Sequence, residues 1–499
     1  MKATSEIARS AVLSYCSSVL NILIGVLYTP WLIKSLGTSD YGLYALATTF
    51  VAYFLIDFGL GNSVSKYLSE YRVKNKQQDI SNFLGIVCKT YFIICAVLAL
   101  IFAIIYFNIE QIFQGLTAEE VGKFRIVFII VALYSTLSFP FNIYNGILTA
   151  YEKFTPIQKA NIIQKSVLVI FMSGALLLGF GVFALVLLYA FSGICAIIYK
   201  SFYVAKCDLK INWKYINGSF IIQILKFSMW VCVVGICIQL IYGLPTTILG
   251  IVSDTKNISF YSISHTIYGF VYLFASALDN VFMPKVSYIE NEQYKTERIN
   301  QLMIKVGRCQ LLIVGLIVSG FAIFGRLFLT LWMGEEFSVA YYITLLLILP
   351  TIVVLTEGIG TVLLYVRERI KYKAVIYLIA SVFCSILSFL LSPSMGAVGA
   401  ALAVCLSIVI FDTIGLNIVY GKKFGIRILD FFYNCHIKYL IPLAIALFVG
   451  FEIQLIDCPD TWFVFVSKLS AYIIVYIILV WVLFMNEEEK KLVKGFLKK

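Results

Sequence analysis

Apolar runs of roughly membrane-spanning length follow one another from one end of this chain to the other. That succession constrains the fold more than any single motif. A helix across the ~30 Å hydrocarbon core needs about 20 residues. Backbone groups inside lipid must find partners within the chain, which such a helix supplies. Fourteen spans are expected, at roughly 11–33, 42–62, 83–106, 124–145, 160–178, 182–204, 220–245, 258–282, 302–325, 339–365, 374–392, 396–419, 437–452 and 462–485. With 61% hydrophobic and 13% charged residues, the 499-residue chain lies far from soluble globular composition. The fold class expected is an all-α polytopic membrane protein.

The net charge of +12 would suggest nucleic acid in a soluble protein. Here its location decides otherwise. With the N-terminus inside, 33 of the 39 Lys and Arg residues fall on inner segments and 6 on outer ones. A bias that alternates loop by loop sets topology and places both termini in the cytoplasm. No nucleic-acid partner is expected. The twelve cysteines include no CxxC pair and lie almost entirely inside apolar runs, so they read as small fillers rather than disulfides. The start, MKATSEIARS, is too polar and the run after it too long for a cleaved signal peptide, so the first helix is expected to stay.

The stretch 39–71, SDYGLYALATTFVAYFLIDFGLGNSVSKYLSEY, sets the theme. A polar turn leads into a span, the span carries one acid, Asp57, and a basic loop closes it. The first twelve spans also read as two related halves. A shift of 217 brings Arg9 onto Lys226, Tyr44 onto Tyr261 and Asn62 onto Asp279. A shift of 219 brings Lys89 onto Arg308, and one of 215 brings Pro30 onto Pro245 and Gly181 onto Gly396. The expected organisation is a six-helix half over 1–214, a second over 215–427, and two further helices with a tail over 428–499. A parallel repeat of this kind places a cavity between its halves near the midplane, where secondary transporters bind substrate.

Charges inside spans are the candidate functional residues, because a charge in hydrocarbon faces protein or a wet cavity. Asp57, Asp279, Glu357 and Asp412 are the candidate cavity or ion-coupling acids. Asp57 and Asp279 sit near inner helix ends, where reaching the interface is the structural alternative. Glu357 and Asp412 lie about two turns from their inner ends, with a structural hydrogen bond as the alternative. Arg9, Lys89, Lys165, Lys226 and Arg308 occupy first turns on the inner side. Together they would form a cationic cavity for a diphosphate, which needs more than one cation. Snorkelling to lipid phosphate is the structural alternative. Pro30, Pro140, Pro245 and Pro350 lie in or beside spans and are candidate hinges, or ordinary membrane-helix prolines.

Absences narrow the class further. The sequence has no GxxxxGK[ST] loop and no HExxH, and its only histidines are His265 and His436. The longest outer connection, 107–123, is too short for the acid- or arginine-bearing loop of a membrane polymerase or transferase. No catalytic residue, metal site or cofactor is expected, apart from a coupling proton or sodium ion.

The first helix ends in TPWLIKSLG, followed by SDYGLYAL and LIDFGLGNSVSKYLSEY; NGILTAYEKF follows the fourth span, and AVGAALA lies near the twelfth. With the six-plus-six-plus-two plan, these segments resemble the polysaccharide-transporter branch of the multidrug/oligosaccharidyl-lipid/polysaccharide exporter superfamily. The resemblance covers essentially the whole chain. It implies a flippase in the bacterial cytoplasmic (inner) membrane. Such a protein moves an undecaprenyl-diphosphate-linked oligosaccharide to the outer leaflet by ion-gradient-driven alternating access. It also implies membrane lipid, a polysaccharide polymerase and chain-length machinery as partners. A peptidoglycan-precursor flippase and a cation-coupled drug exporter are related alternatives. A membrane polymerase or transferase is the alternative of a different class.

Overall fold

The computed structural model describes residues 2–54, 60–74, 76–215, 218–276, 279–290, 294–487 and 489–491. Among them every regular element is a helix. Ten of these helices are long and apolar enough to cross a membrane. One, Lys371–Phe424, holds two of the expected spans and is broken between them at Gly396. Its φ of 56° lies in the left-handed region, where a side chain would be strained. The expected spans 11–33, 42–62 and 258–282 fall on the helices Lys2–Leu36, Thr38–Phe54 and Thr255–Ser276, which are not among the ten. Two of these stretches run into residues outside the description, 55–59 and 277–278. Thr255–Ser276 also opens on the polar sequence TKNISFYSISHT.

The chain divides into two compact units. The first is Met1–Ser262 with Ser385–Ala400; the second is Ile263–Cys384 with Ala401–Lys499. Lipid tails are as apolar as leucine, so burial alone does not drive helices together here. Close packing on small residues and interhelical hydrogen bonds of about 0.6 kcal/mol each do. In the first unit Gly193 admits the Tyr134 ring and Gly146 admits Val64. In the second, Gly315 admits the Tyr439 hydroxyl and Gly360 the Tyr420 ring. Tyr439 and Tyr476 then share a 2.6 Å hydrogen bond, and Tyr472 donates to Ser319 at 2.5 Å.

Each unit closes one helix end in the same way. In the first, the N–H groups of Tyr151, Glu152 and Lys153 donate to the carbonyls of Ile147, Thr149 and Leu148. In the second, those of Arg367, Glu368 and Arg369 donate to Leu363, Tyr365 and Leu364. The middle residue is left-handed both times, with φ 57° at Glu152 and 53° at Glu368. This is the Schellman ending, in which two spare carbonyls are satisfied by the turn that stops the helix.

The preceding helices break at comparable places. Ala118–Ser138 is followed by a tight turn of helix, Phe139–Asn142, that contains Pro140, and then by Ile143–Ala150. Ala340–Ile348 is followed by Thr351–Val354 and then Gly358–Val366, with Pro350 and Glu357 as the cap residues of those two pieces. The span expected over 339–365 is therefore three short helices. Pro30 and Pro245, in contrast, sit inside continuous helices, Lys2–Leu36 and Gly218–Val252.

One end of the first unit is built around a turn at 253–257. Gly42 packs against the Thr255 carbonyl, Gly115 against the Ser253 carbonyl, and Gly396 against the Asn257 amide. A Cβ at any of the three would collide. The Thr255 hydroxyl donates to Glu120 Oε1 at 2.7 Å, Ser259 donates to the Thr38 carbonyl at 2.6 Å, and Asn257 Oδ1 accepts from Ala397 N–H at 2.9 Å.

Candidate functional site

The second unit contains a closed ring of polar side chains. Glu357 caps the helix Gly358–Val366 and accepts a 2.5 Å hydrogen bond from Asn417 Nδ2. The same amide nitrogen donates to the Thr413 carbonyl at 2.6 Å, one residue beyond Asp412. Asp412 Oδ2 accepts from the Tyr377 hydroxyl at 2.8 Å. One turn before Tyr377, Lys373 Nζ donates to Thr361 Oγ1 at 3.3 Å, one turn after Glu357. Tyr420 meets the same hydroxyl at 3.4 Å. Glu357 is 4% exposed and Asp412 5%.

Local backbone features explain why these groups meet. Gly358 and Gly360 follow Glu357, and Gly360 leaves the space that the Tyr420 ring occupies. Asp412 lies in a π-helical stretch, Ile408–Gly415. A π-turn adds a residue to one helical turn and re-aims the side chains after it, and it is often found at functional sites. Burying two carboxylates is costly unless each is hydrogen-bonded and offset by positive charge. Lys373 acts electrostatically on both. Asn417 also faces outward. With Thr413, Ile414, Ile418, Lys422 and Phe432 it lines a groove of about 480 Å³. Its Oδ1 and the Thr413 hydroxyl are buried without a hydrogen bond.

Among the described cations, Lys89 and Arg308 are each engaged within their own unit. Lys89 donates to the Tyr215 carbonyl at 3.1 Å and so ties a linker down. Around it, Asn212 N–H donates to the Ser81 carbonyl and Asn212 Nδ2 to Asn82 Oδ1, while Gly85 leaves room for the Asn212 carbonyl. Arg308 does similar work in the second unit, where Arg427 N–H docks on Asn300 Oδ1. Its guanidinium is buried. Nε and Nη2 hold Glu489 at 2.6 and 2.9 Å, Nη1 donates to the Asn434 carbonyl, and Nη2 also donates to the Phe484 carbonyl. The guanidinium carbon stands 3.9 Å from the centre of the Phe484 ring.

Lys165 lies half-buried in Phe154–Leu177, with no hydrogen bond or ion pair among the described residues. Lys200 is in the same situation on Val182–Ala205, which packs against that helix. The side chains of Arg9, Lys226 and Asp279, and all of Asp57, lie outside the described residues.

Sequence reasoning named Glu357 and Asp412 as candidates and left out Lys373, Tyr377, Asn417 and Lys200. By sequence, Lys373 reads as one of the four loop bases at 367–373. The usable signal was its place two residues into a helix that starts at Lys371. Glu489, in the C-terminal tail, is 3% exposed because Arg308 offers it a bidentate partner.

A search among solved structures finds this fold elsewhere. "Lipid II flippase MurJ, inward closed conformation" superimposes with a TM-score of 0.74 at 17% identity, covering 94% of this chain and 97% of that one. An inward-facing multidrug resistance MATE family transporter of the MOP superfamily gives 0.62 at 12% identity, covering 84% and 99%. In sequence, the chain is 22% identical over 442 residues to a Shigella flexneri protein named "Putative O-antigen transporter", covering 84% of this chain and 98% of that one. The model of the family described as "Polysaccharide biosynthesis protein" matches residues 7–290. The chain therefore belongs to the polysaccharide biosynthesis protein family, in the polysaccharide-transporter branch of the multidrug/oligosaccharidyl-lipid/polysaccharide exporter superfamily.

Proposed function

We propose that this chain is a flippase for an undecaprenyl-diphosphate-linked oligosaccharide, a precursor of O-antigen, capsule or exopolysaccharide. It works in the bacterial cytoplasmic membrane with fourteen spans and both termini inside. The observation that carries this reading is the family match, extended along most of the chain by the likeness to the O-antigen transporter. The matching inner turns at 147–153 and 363–369 support two repeat-related halves, 1–214 and 215–427, with 428–499 as an addition.

In this mechanism the diphosphate enters a cationic cleft from the cytoplasm while the polyprenyl tail stays in lipid. Lys165 and Lys200 are the described cations available to it, and Arg9 and Lys226 complete the set. Glu357 and Asp412 couple the cycle to an ion gradient, since carboxylates inside a span mark ion pathways. The polymerase and chain-length machinery act on the cargo once it is outside.

The test is the sidedness of the lipid-linked repeat unit in membrane vesicles of known orientation, probed with a sugar-directed reagent that cannot cross the bilayer. Without the protein the unit should stay on the cytoplasmic face. If it reaches the outer face but stays unpolymerised, the enzyme reading replaces this one. If peptidoglycan precursor is trapped instead, the cargo is lipid II.

A further inference from the structure

We propose that the Glu357–Asp412 ring binds a single proton and no metal cation, because Lys373 already occupies the place of a resident cation. This rests on the reading of the two acids as the coupling groups and names the ion they take. The argument is one of charge and of hydrogen-bond direction.

The ring holds two carboxylates and one ammonium. Its charge is one short of neutral, and an uncompensated charge at this depth is costly. One positive charge must therefore be added when the site is closed. A hard metal cation needs several oxygen lone pairs converging on one point. Here one oxygen of each carboxylate is met by a donor instead, and the unpartnered oxygens beside them, Asn417 Oδ1 and the Thr413 hydroxyl, are two where such a cation takes about six or more. Asn417 Nδ2 faces Glu357 and the Tyr377 hydroxyl faces Asp412. The orientation of the Asn417 amide follows from its partners, because one atom contacts two acceptors, Glu357 Oε1 and the Thr413 carbonyl, and only the NH₂ group can donate to both. Lys373 Nζ, 5.0 Å from the centre of the Tyr377 ring, fills the cationic position. A proton is the one cation that neutralises the ring without new ligands. It forms an O–H bond on a carboxylate oxygen, comes from water on one side and returns to water on the other.

Other titratable groups stand around the ring. Tyr377 and Tyr420 act on the acids, Cys435 faces Glu357, and His436 bonds to Thr356 at 3.2 Å, one residue before Glu357. Among the described residues Lys373 is the ammonium inside the ring, so its removal should change the proton count.

The experiment uses the full-length protein in lipid nanodiscs at neutral pH, without cargo, with protons and sodium as the probes. Infrared absorption of protonated carboxyl groups gives the count. The wild type should show one buried protonated carboxyl, Glu357→Gln should lose it, and Lys373→Met should show about twice the wild-type band. His436→Gln should leave the band unchanged. Replacing choline chloride by sodium chloride should also leave it unchanged. A band that sodium removes, or one that is the same in Lys373→Met as in the wild type, overturns the proposal. Should Lys373→Met fail to fold, Lys373→Arg must keep the single band, and the sodium titration of the wild type still decides. The band is read without cargo, so its outcome is separate from the sidedness test of the flippase reading.

Discussion

The two units share a frame and differ in what it holds. Both end a helix with the same three-bond turn around a left-handed glutamate. Both dock a linker on an asparagine near the start of a long helix, Asn82 in one and Asn300 in the other. Both then fix that linker region with a base further along the same helix, Lys89 or Arg308. A shift of 216, the spacing of the two glutamates, carries Glu357, Lys373 and Asp412 onto Phe141, Ile157 and Ala196. The second unit thus holds buried charge where the first holds apolar side chains. The contrast separates scaffold from function: what repeats is the way helix ends are tied, and what does not repeat is the candidate chemistry.

The largest effect that could break this comparison is on transport. Glu357→Gln and Asp412→Asn should each remove the dependence of export on the ion gradient, while Phe141→Leu in the first unit should leave it intact. Uptake of label by outward-facing repeat units, with and without an uncoupler, reads this. A Glu357→Gln variant with normal gradient dependence would make the buried ring structural.

Next comes the pair of linker bases. Arg308→Met leaves Glu489 buried without its cation and should cost about 3–5 kcal/mol. Lys89→Met removes one charge-assisted hydrogen bond at a half-buried site and should cost about 1 kcal/mol. Thermal unfolding of purified protein would rank them. Equal losses would mean that the tail adds nothing in the second unit.

A smaller effect is expected at the 253–257 turn. Gly42→Ala pushes a methyl group into the Thr255 carbonyl and should cost about 1–3 kcal/mol by overpacking. Gly122→Ala meets open space and should be silent. The smallest effect tests the shared frame itself. Glu152→Gly and Glu368→Gly each relieve a left-handed side chain, so both should gain up to about 1 kcal/mol, and by similar amounts. Clearly unequal gains would mean that the two turns are not equivalent.

Much of the frame was legible because it is periodic. Apolar run length marks out most of the membrane-length helices. The ring was half legible. A lone acid within a span stands out, so Glu357 and Asp412 were found. Lys373 did not, because a base beside a charged turn looks like every other loop base until the helix start is known. Arg308 was misjudged for a different reason. Its partner, Glu489, lies 181 residues away in a tail whose composition reads as solvated. The break at Glu357 and the π-turn at Asp412 leave no mark in hydropathy, which sees apolar content and not backbone path.

The glycine-seated turn at 253–257 has a consequence for how such a protein can diversify. At Gly42 and Gly115 its closest approach is main chain to main chain, against the Thr255 and Ser253 carbonyls. A surface of that kind carries no chemical preference and offers ordinary substitution nothing to adjust. Side chains elsewhere can therefore be rewritten while this seam is inherited as shape, and any change at Gly42 or Gly115 is close to all or nothing.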